Sequence, residues 1–213
     1  MSSTQAEPTS FAFTEANMKL VEKAIKKYPE GRQMSAVKTL LDLAQRQMGA
    51  QSGAAWLPRA AMDKVAEILG VAPIRVYEVA TFYSMFNLEP VGKYHLQVCT
   101  TTPCWLRGSD DVVAACKKAT GIQAFGETSE DGLFTLKEVE CLGACVNAPI
   151  LQVNDDYFED MDAARTEALI ADLKAGKPLP PAGSLGGRKS SAPAPGQTTL
   201  ISAPGISAPG SSE

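Results

Sequence analysis

Four of the five cysteines in this 213-residue chain lie in two closely spaced pairs. Four residues separate Cys99 from Cys104, and three separate Cys141 from Cys145. Each pair can form a short loop that turns both sulfur atoms towards one ion or cluster. Four thiolates brought together without a cation would repel one another and would be costly to remove from water. The pattern therefore predicts a four-cysteine metal site.

The spacing narrows the choice of metal without deciding it. Structural zinc sites favour cysteine pairs separated by two to four residues, whereas four-cysteine ligation with a C-x4-C element is known from [2Fe–2S] proteins. A Rieske centre needs two histidines, and His95 is the only histidine in the chain. A [4Fe–4S] cluster usually uses a C-x2-C-x2-C run, which this sequence lacks. The spacing favours a [2Fe–2S] cluster and leaves zinc open.

Disulfide bonding is the least favoured use of these thiols. Five cysteines in a secreted protein would leave one unpaired. The first residues have neither the basic start and apolar stretch of a signal peptide nor the arginines of a mitochondrial transit peptide. No apolar run approaches the ~20 residues that span a bilayer. We expect a soluble intracellular protein in a reducing compartment, where clustered thiols indicate metal binding or redox catalysis.

Composition excludes two further classes of function. A net charge of −4 gives no electrostatic basis for binding nucleic acid. No G-x-G-x-x-G run follows a predicted strand, so the chain has no dinucleotide-binding fingerprint. Its length suffices for one large domain or two small ones with a substantial core.

Helical periodicity dominates the first part of the chain. The polar, turn-rich residues 1–13 predict a flexible arm, and residues 14–88 predict a bundle of four helices. Thr14 is the expected N-cap of the first helix. Pro58 and Pro73 are expected at the first positions of the third and fourth helices. The bundle has no metal-ligand or catalytic motif of its own.

The elements that position the first cysteine pair follow the bundle. Alternating apolar residues at 93–99 predict a strand that ends at Cys99. Residues 105–120 predict one helix that begins beside Cys104. The free N–H groups and positive dipole end of that helix would favour an anionic cluster.

Several polar residues near this strand and helix also bear on the site. Hydroxyl groups of Thr100, Thr101 and Thr102 are expected to donate to the sulfurs, and hydrogen bonds to sulfur tend to raise a cluster's reduction potential. Cys116 is interpreted as a buried free thiol, and His95 as a polar side chain on the outer face of the strand.

A strand is predicted at residues 134–141 and leads into the second cysteine pair. Another strand is predicted at residues 150–153. A cis bond or rigid turn is expected at Pro149, just before it. A helix over about 162–175 closes the domain. The order strand, helix, strand, strand, helix predicts a thioredoxin-like α/β domain over residues 92–177, and thus an α+β chain. Residues 178–213, rich in Pro, Gly, Ser and Ala, predict a disordered tail.

Three stretches carry a resemblance to a known family: VYEVATFYSMF at 76–86, CTTTPC at 99–104 and VECLGACVNAP at 139–149. They closely resemble the small thioredoxin-like [2Fe–2S] subunit of respiratory complex I, the NADH:quinone oxidoreductase. The match covers roughly residues 14–177. It implies that the cofactor is a [2Fe–2S] cluster, ligated by Cys99, Cys104, Cys141 and Cys145.

The resemblance also implies a role. The chain would be a subunit of a proton-translocating oxidoreductase, without an independent active site. It would exchange one electron with the flavin of a partner subunit, and that partner would bind FMN and NADH. The helical bundle would dock on this partner, and other peripheral-arm subunits would adjoin it. The expected location is the cytoplasmic side of the bacterial inner membrane, in a peripheral arm without membrane insertion.

Two alternatives stay open at this point. Similar subunits occur in soluble NAD-linked formate dehydrogenases and NAD-reducing hydrogenases, where the same electron-input module serves another enzyme. A protein of a different class, a zinc-stabilised interaction module without a redox role, would also use four cysteines.

Overall fold

The computed structural model describes residues 7–185 and 187. This part of the chain forms seven α-helices and a single mixed sheet of five strands. The helices are α1 (Glu15–Ile25), α2 (Val37–Ser52), α3 (Arg59–Leu69), α4 (Pro73–Phe82), α5 (Thr102–Leu106), α6 (Ser109–Thr120) and α7 (Ala163–Lys174). The strands are β1 (Tyr94–Cys99), β2 (Phe134–Val139), β3 (Leu151–Val153), β4 (Asp156–Glu159) and β5 (Gly183–Ser184).

Helices α1 to α4 form the bundle, and two of the three predicted capping residues occupy the expected positions. The Thr14 side chain accepts a hydrogen bond from the Asn17 amide and so caps α1. Pro73 is the first residue of α4, as predicted, because a proline lacks the N–H that this position would leave unpaired. Pro58 lies one residue earlier than predicted and is the N-cap of α3.

The bundle is held together by apolar side chains from all four helices. Phe11 and Phe13 precede α1 and pack against this core, with their rings edge to face. The core includes Val21, Leu40, Leu41, Val65, Val76 and Ala80.

The five strands lie in the order β2-β1-β3-β4-β5. Strand β1 pairs parallel with β2 and antiparallel with β3; β3 pairs antiparallel with β4, and β4 parallel with β5. The register of β1 with β2 runs from Tyr94 opposite Phe134 to Cys99 opposite Val139. Helices α6 and α7 cover one face of the sheet. The core between these two helices and the sheet includes Leu96, Val98, Val112, Leu136, Val153, Phe158, Ile170 and Leu173.

The prediction of one continuous helix over residues 105–120 is wrong. Two helices, α5 and α6, meet at Gly108, which has a φ of +98° that side-chain-bearing residues rarely adopt. Cys104 lies inside α5 rather than in front of a long helix. The amino terminus of α6, with Asp110 and Asp111 in its first turn, begins beyond the cysteine pair. The expected contribution of a long-helix dipole to the sulfurs is therefore not found.

The sheet has two strands more than the sequence predicted. Residues 154 and 155 form the two-residue turn between β3 and β4, and Asn154 has a φ of +55°. Strand β5 pairs with β4 beyond Lys177, so the described chain stays in the sheet past that boundary. Residues 186 and 188–213 of the predicted tail lie outside the described residues.

His95 lies on the face of β1 away from α6 and α7, as predicted, but its side chain there is buried rather than exposed. Only 6% of the residue is exposed, because the segment between α4 and β1 lies across this face of the sheet. In that segment the Ser84 carbonyl accepts a hydrogen bond from Lys137 Nζ at 3.0 Å, and the Gly92 amide donates to Thr135 Oγ1 at 2.7 Å. Burial, reinforced by the positive charge of Lys137, lowers the pKa of His95 from 6.5 to about 4.

The lowered pKa of His95 predicts a loss of stability in mild acid. Above pH 6.5 the imidazole is neutral in both states; as the pH falls towards 4, the unfolded chain takes up a proton before the folded chain does. We expect this linkage to remove about 3 kcal/mol of the free energy of unfolding across that interval. Urea unfolding from pH 7 to pH 4 should show the loss in the wild type and not in His95→Gln. Parallel pH profiles for the two proteins would contradict the assignment.

A charged contact also joins the bundle to the sheet. The Arg46 guanidinium of α2 binds the Asp155 carboxylate in the β3–β4 turn at 2.6 Å, and its Nε donates to the Asp42 carboxylate one helical turn away.

The helices of the described residues include none with the length and apolar character of a membrane span.

Candidate metal centre

Both cysteine loops leave the sheet at the same edge. Cys99 is the last residue of β1, and β2 ends at Val139, two residues before Cys141. Because these strands run parallel and Cys99 lies opposite Val139, their carboxyl ends are neighbours. The parallel pairing thus brings together cysteines that are about forty residues apart in sequence.

The first cysteine pair is buried. Cys104 is the third residue of α5 and is fully enclosed, while 1% of Cys99 is exposed. Both thiols pack against Ala148 and Ile150, with Leu142, Ala144 and Tyr157 at the margin of this small apolar cluster.

The second pair forms the outer side of the site. Cys141 is exposed and Cys145 is half-buried; their Sγ atoms are 3.2 Å apart without a disulfide bond. Gly143 lies between them with a φ of +86°, a conformation that a glycine adopts without strain. This tight turn directs both thiols to the same side of the loop.

The inner thiols differ in acidity. Burial acts to raise the pKa of Cys99, but hydrogen bonds with Thr101, with the Cys104 thiol and with the Leu142 backbone outweigh it and lower the pKa. Burial and, to a smaller extent, the interaction with the Cys99 thiol raise the pKa of Cys104 to about 12. One member of the inner pair is therefore stabilised as a thiolate at the expense of the other.

The outer pair shows the same asymmetry, and charge interactions connect the two pairs. The hydrogen bond with Cys145 lowers the pKa of Cys141, with the Gly143 amide assisting, and the same contact raises the pKa of Cys145. Cys145 also affects the pKa of Cys104, and Cys99 that of Cys145. All four predicted ligands therefore lie close enough to interact as one group.

One of the three threonines expected to contact sulfur does so at close range. Thr101 Oγ1 lies 3.1 Å from Cys99 Sγ. The Thr100 hydroxyl instead donates to Glu138 Oε1 at 2.5 Å. Thr102 begins α5 and is exposed.

Asn147, which sequence analysis did not single out, anchors the second loop. It is 8% exposed, its Nδ2 donates to Glu159 Oε2 at 2.5 Å, and its carbonyl accepts from the Asp160 amide at 2.7 Å. These bonds tie the segment after Cys145 to the end of β4. No sequence signal marked this role, because the Asn147 side chain bonds to Glu159, twelve residues away on a strand that was not predicted.

Cys116 lies in a different environment from the four paired cysteines. It is fully buried in the core between the sheet and α6, and burial raises the pKa of its thiol to about 12. The prediction that it is a buried free thiol is confirmed.

The donor set is what a [2Fe–2S] cluster requires. Four thiols meet at one sheet edge, and two of them lie in an apolar enclosure that would keep water from the inner side. Among residues 7–185 and 187, no three Cys, His, Asp or Glu side chains are arranged as ligands of one metal ion. A [2Fe–2S] cluster divides four thiolates between two irons, and two cysteine pairs on separate loops match that division.

Comparison with known proteins gives a consistent result. A family model described as thioredoxin-like [2Fe–2S] ferredoxin matches residues 21–174. A subunit of the NADH-quinone oxidoreductase of Rickettsia typhi is 58% identical over 161 residues, which is 76% of this chain and 91% of that protein. The mitochondrial NADH dehydrogenase [ubiquinone] flavoprotein 2 of Dictyostelium discoideum is 50% identical over 198 residues, covering 93% and 77% of the two chains.

A solved structure supports the fold. The crystal structure of an NAD+-reducing [NiFe]-hydrogenase in the air-oxidized state aligns with a TM-score of 0.56 at 22% identity. The alignment covers 67% of this chain and 23% of the hydrogenase chain. At this identity the likeness concerns the fold.

Proposed function

Because the chain belongs to the thioredoxin-like [2Fe–2S] ferredoxin family, we propose that it is the one-electron carrier subunit of the NADH-oxidising module of an NADH–quinone oxidoreductase. The observation that carries this proposal is the convergence of four thiols at one edge of the sheet, within the region matched by the family and by these relatives. When bound, a [2Fe–2S] cluster supplies one-electron chemistry at a potential that its surroundings set.

The ligands we propose are Cys99, Cys104, Cys141 and Cys145. The inner pair is held by a strand end and a short helix, so its positions are fixed by the sheet and by packing on Ala148. The outer pair lies on a glycine-containing turn at the surface. In this role the chain holds the site in place and excludes water from its inner side.

Exposed apolar side chains around the site support docking of a partner. Trp105 and Leu106 follow the inner cysteine and are 57% and 70% exposed, and Val146 beside the outer pair is 57% exposed. At the end of α4, Phe82 is 79% exposed and Met85 50%. Large apolar groups of this kind are common where a second protein binds.

We propose that this partner is the flavin-bearing, NADH-oxidising subunit, and that the bundle and the rim of the metal centre both contact it. A partner at the outer pair would approach the electron carrier at its least buried side. As a peripheral-arm subunit, the chain would be attached to the cytoplasmic side of the membrane through other proteins.

The test is anaerobic purification of the tagged full-length chain from its own cells. We expect two irons and two sulfides per chain, a rhombic EPR signal that appears only on reduction with dithionite, and co-purification of a chain that carries FMN. The NAD-linked formate dehydrogenase and hydrogenase alternatives predict the same cluster but different accompanying chains. A colourless protein with one zinc and no EPR signal would overturn the proposal, and so would a cluster-loaded protein recovered without any flavoprotein.

A further inference from the structure

We propose that Thr101 sets the reduction potential of the bound cluster by donating a hydrogen bond from its hydroxyl to the Cys99 sulfur. This inference rests on the proposed function, because it assumes that Cys99 is a cluster ligand. Thr101 would act through that ligand and is therefore a positioning and tuning residue.

The local backbone makes the hydroxyl available for this contact. Thr101 is the N-cap residue of α5, with an extended φ of −70° and ψ of 165°. A threonine at such a position usually accepts a bond from an amide in the first turn, but the Thr101 side chain caps no amide of α5. The Thr101 carbonyl accepts from the Trp105 amide at 2.9 Å, which fixes the residue at the start of the helix. The hydroxyl is left to face Cys99 Sγ at 3.1 Å.

The direction of this hydrogen bond follows from metal ligation. A cysteine bound to iron is a thiolate and has no proton to give, so the hydroxyl must be the donor. Reduction adds negative charge to the cluster and its sulfur ligands. A donor held at sulfur therefore stabilises the reduced state more than the oxidised state and raises the potential.

The two neighbouring threonines provide matched controls. Thr100 donates to Glu138, and Thr102 is an exposed residue in the first turn of α5. Replacing either by valine makes the same chemical change within one residue of Thr101, without removing a close hydrogen bond to a ligand sulfur.

The experiment is an EPR-monitored redox titration of the cluster-loaded full-length chain. We expect Thr101→Val to lower the midpoint potential by ~59 mV, which corresponds to about a tenfold weaker affinity for the electron in a one-electron couple. Thr101→Ser, which restores a hydroxyl, should return the potential towards the wild-type value. Thr100→Val and Thr102→Val should leave it nearly unchanged.

Iron and sulfide analysis distinguishes a failure of the proposed function from a failure of the role of Thr101. A wild-type chain without two irons would overturn the proposed function itself, whatever the variants do. A loaded Thr101→Val chain with the wild-type potential would overturn the role of Thr101 alone, as would equal shifts in all three valine variants. Thr101→Ala removes the same hydroxyl with less bulk and serves if the valine variant does not load. Failure of both to bind iron would make Thr101 an assembly residue and also overturn the proposal.

Discussion

Replacing Cys104 by alanine is expected to abolish cluster binding in the full-length chain. The residue is fully buried on α5, and its thiol interacts with the Cys99 thiol in a small apolar cluster. Alanine leaves one iron without its fourth ligand, and water does not readily take the place of the lost thiolate on the inner, apolar side. Loss of a supporting contact alone costs metal sites ~10–100-fold in affinity, so loss of a ligand should exceed that. Iron and sulfide content after anaerobic reconstitution, with the EPR spectrum, measures the effect.

The chain offers a close control for this substitution. Cys116 is as buried as Cys104 but lies in the core between the sheet and α6. Cys116→Ala should retain full iron content and lose only ~1 kcal/mol of stability through the small cavity. Circular dichroism should show folded protein in both variants, because Cys104 lies outside the sheet core and the cavity left at Cys116 is small. Normal iron in Cys104→Ala, or equal loss in both variants, would refute the assignment of Cys104 as a ligand.

Among the substitutions considered, Gly92→Ala just before β1 is expected to destabilise the fold most. A Cβ atom at this position would lie 2.9 Å from three backbone atoms, the Leu133 carbonyl carbon and oxygen and the Phe134 carbonyl carbon. These atoms belong to the chain entering β2 and cannot rotate away as a flexible side chain could. The new methyl group would separate β1 from β2 and weaken the hydrogen bond between the Gly92 amide and Thr135 Oγ1. We expect a loss of ~3 kcal/mol in the free energy of unfolding.

Urea unfolding followed by far-ultraviolet circular dichroism measures this loss, and Gly31→Ala is the control. Gly31 has a φ of +76° and open space around it, so its substitution tests backbone strain without a clash, at ~1–2 kcal/mol. A smaller loss in Gly92→Ala than in Gly31→Ala would show that the start of the sheet tolerates a side chain and would contradict the prediction.

Capping and periodicity made much of the bundle predictable from sequence. Thr14 and Pro73 are local signals whose chemistry depends on few other residues, and α1 and α4 begin where these residues indicate. The strand ending at Cys99 was predictable for the same reason, because its alternation is a property of six consecutive residues. The predicted cis bond or rigid turn at Pro149 is also found, with a cis bond after Ala148.

Features set by tertiary contacts were not predictable in this way. The apolar periodicity of residues 105–120 continues through Gly108, and only the left-handed backbone at that residue separates α5 from α6. Strand β4 is short and carries acidic residues at both ends, so its pattern is weak until β3 supplies a partner. His95 is polar and lies on the strand face away from α6 and α7, yet the segment before β1 covers it.

In the candidate site, too, local sequence patterns were predictable and tertiary contacts were not. The cysteine spacing identified four thiols, but three threonines looked equivalent in sequence. Only the turn from β1 into α5 distinguishes Thr101, which faces Cys99, from Thr100, which faces Glu138. The bond between Asn147 and Glu159 depends on β4, and could not be inferred while that strand was not predicted.

The parallel pairing of β1 with β2 has a consequence for the order of events during biogenesis. Its first residue pair, Tyr94 and Phe134, is separated by forty positions, so the pairing requires closure of a long loop through α5 and α6. Contacts within the bundle and within the β3–β4 hairpin are more local and carry a smaller loop-closure cost. The two cysteine loops become neighbours only after the slow, non-local step. Iron delivered to a nascent chain would meet one cysteine pair at a time, so cluster insertion should follow folding rather than guide it.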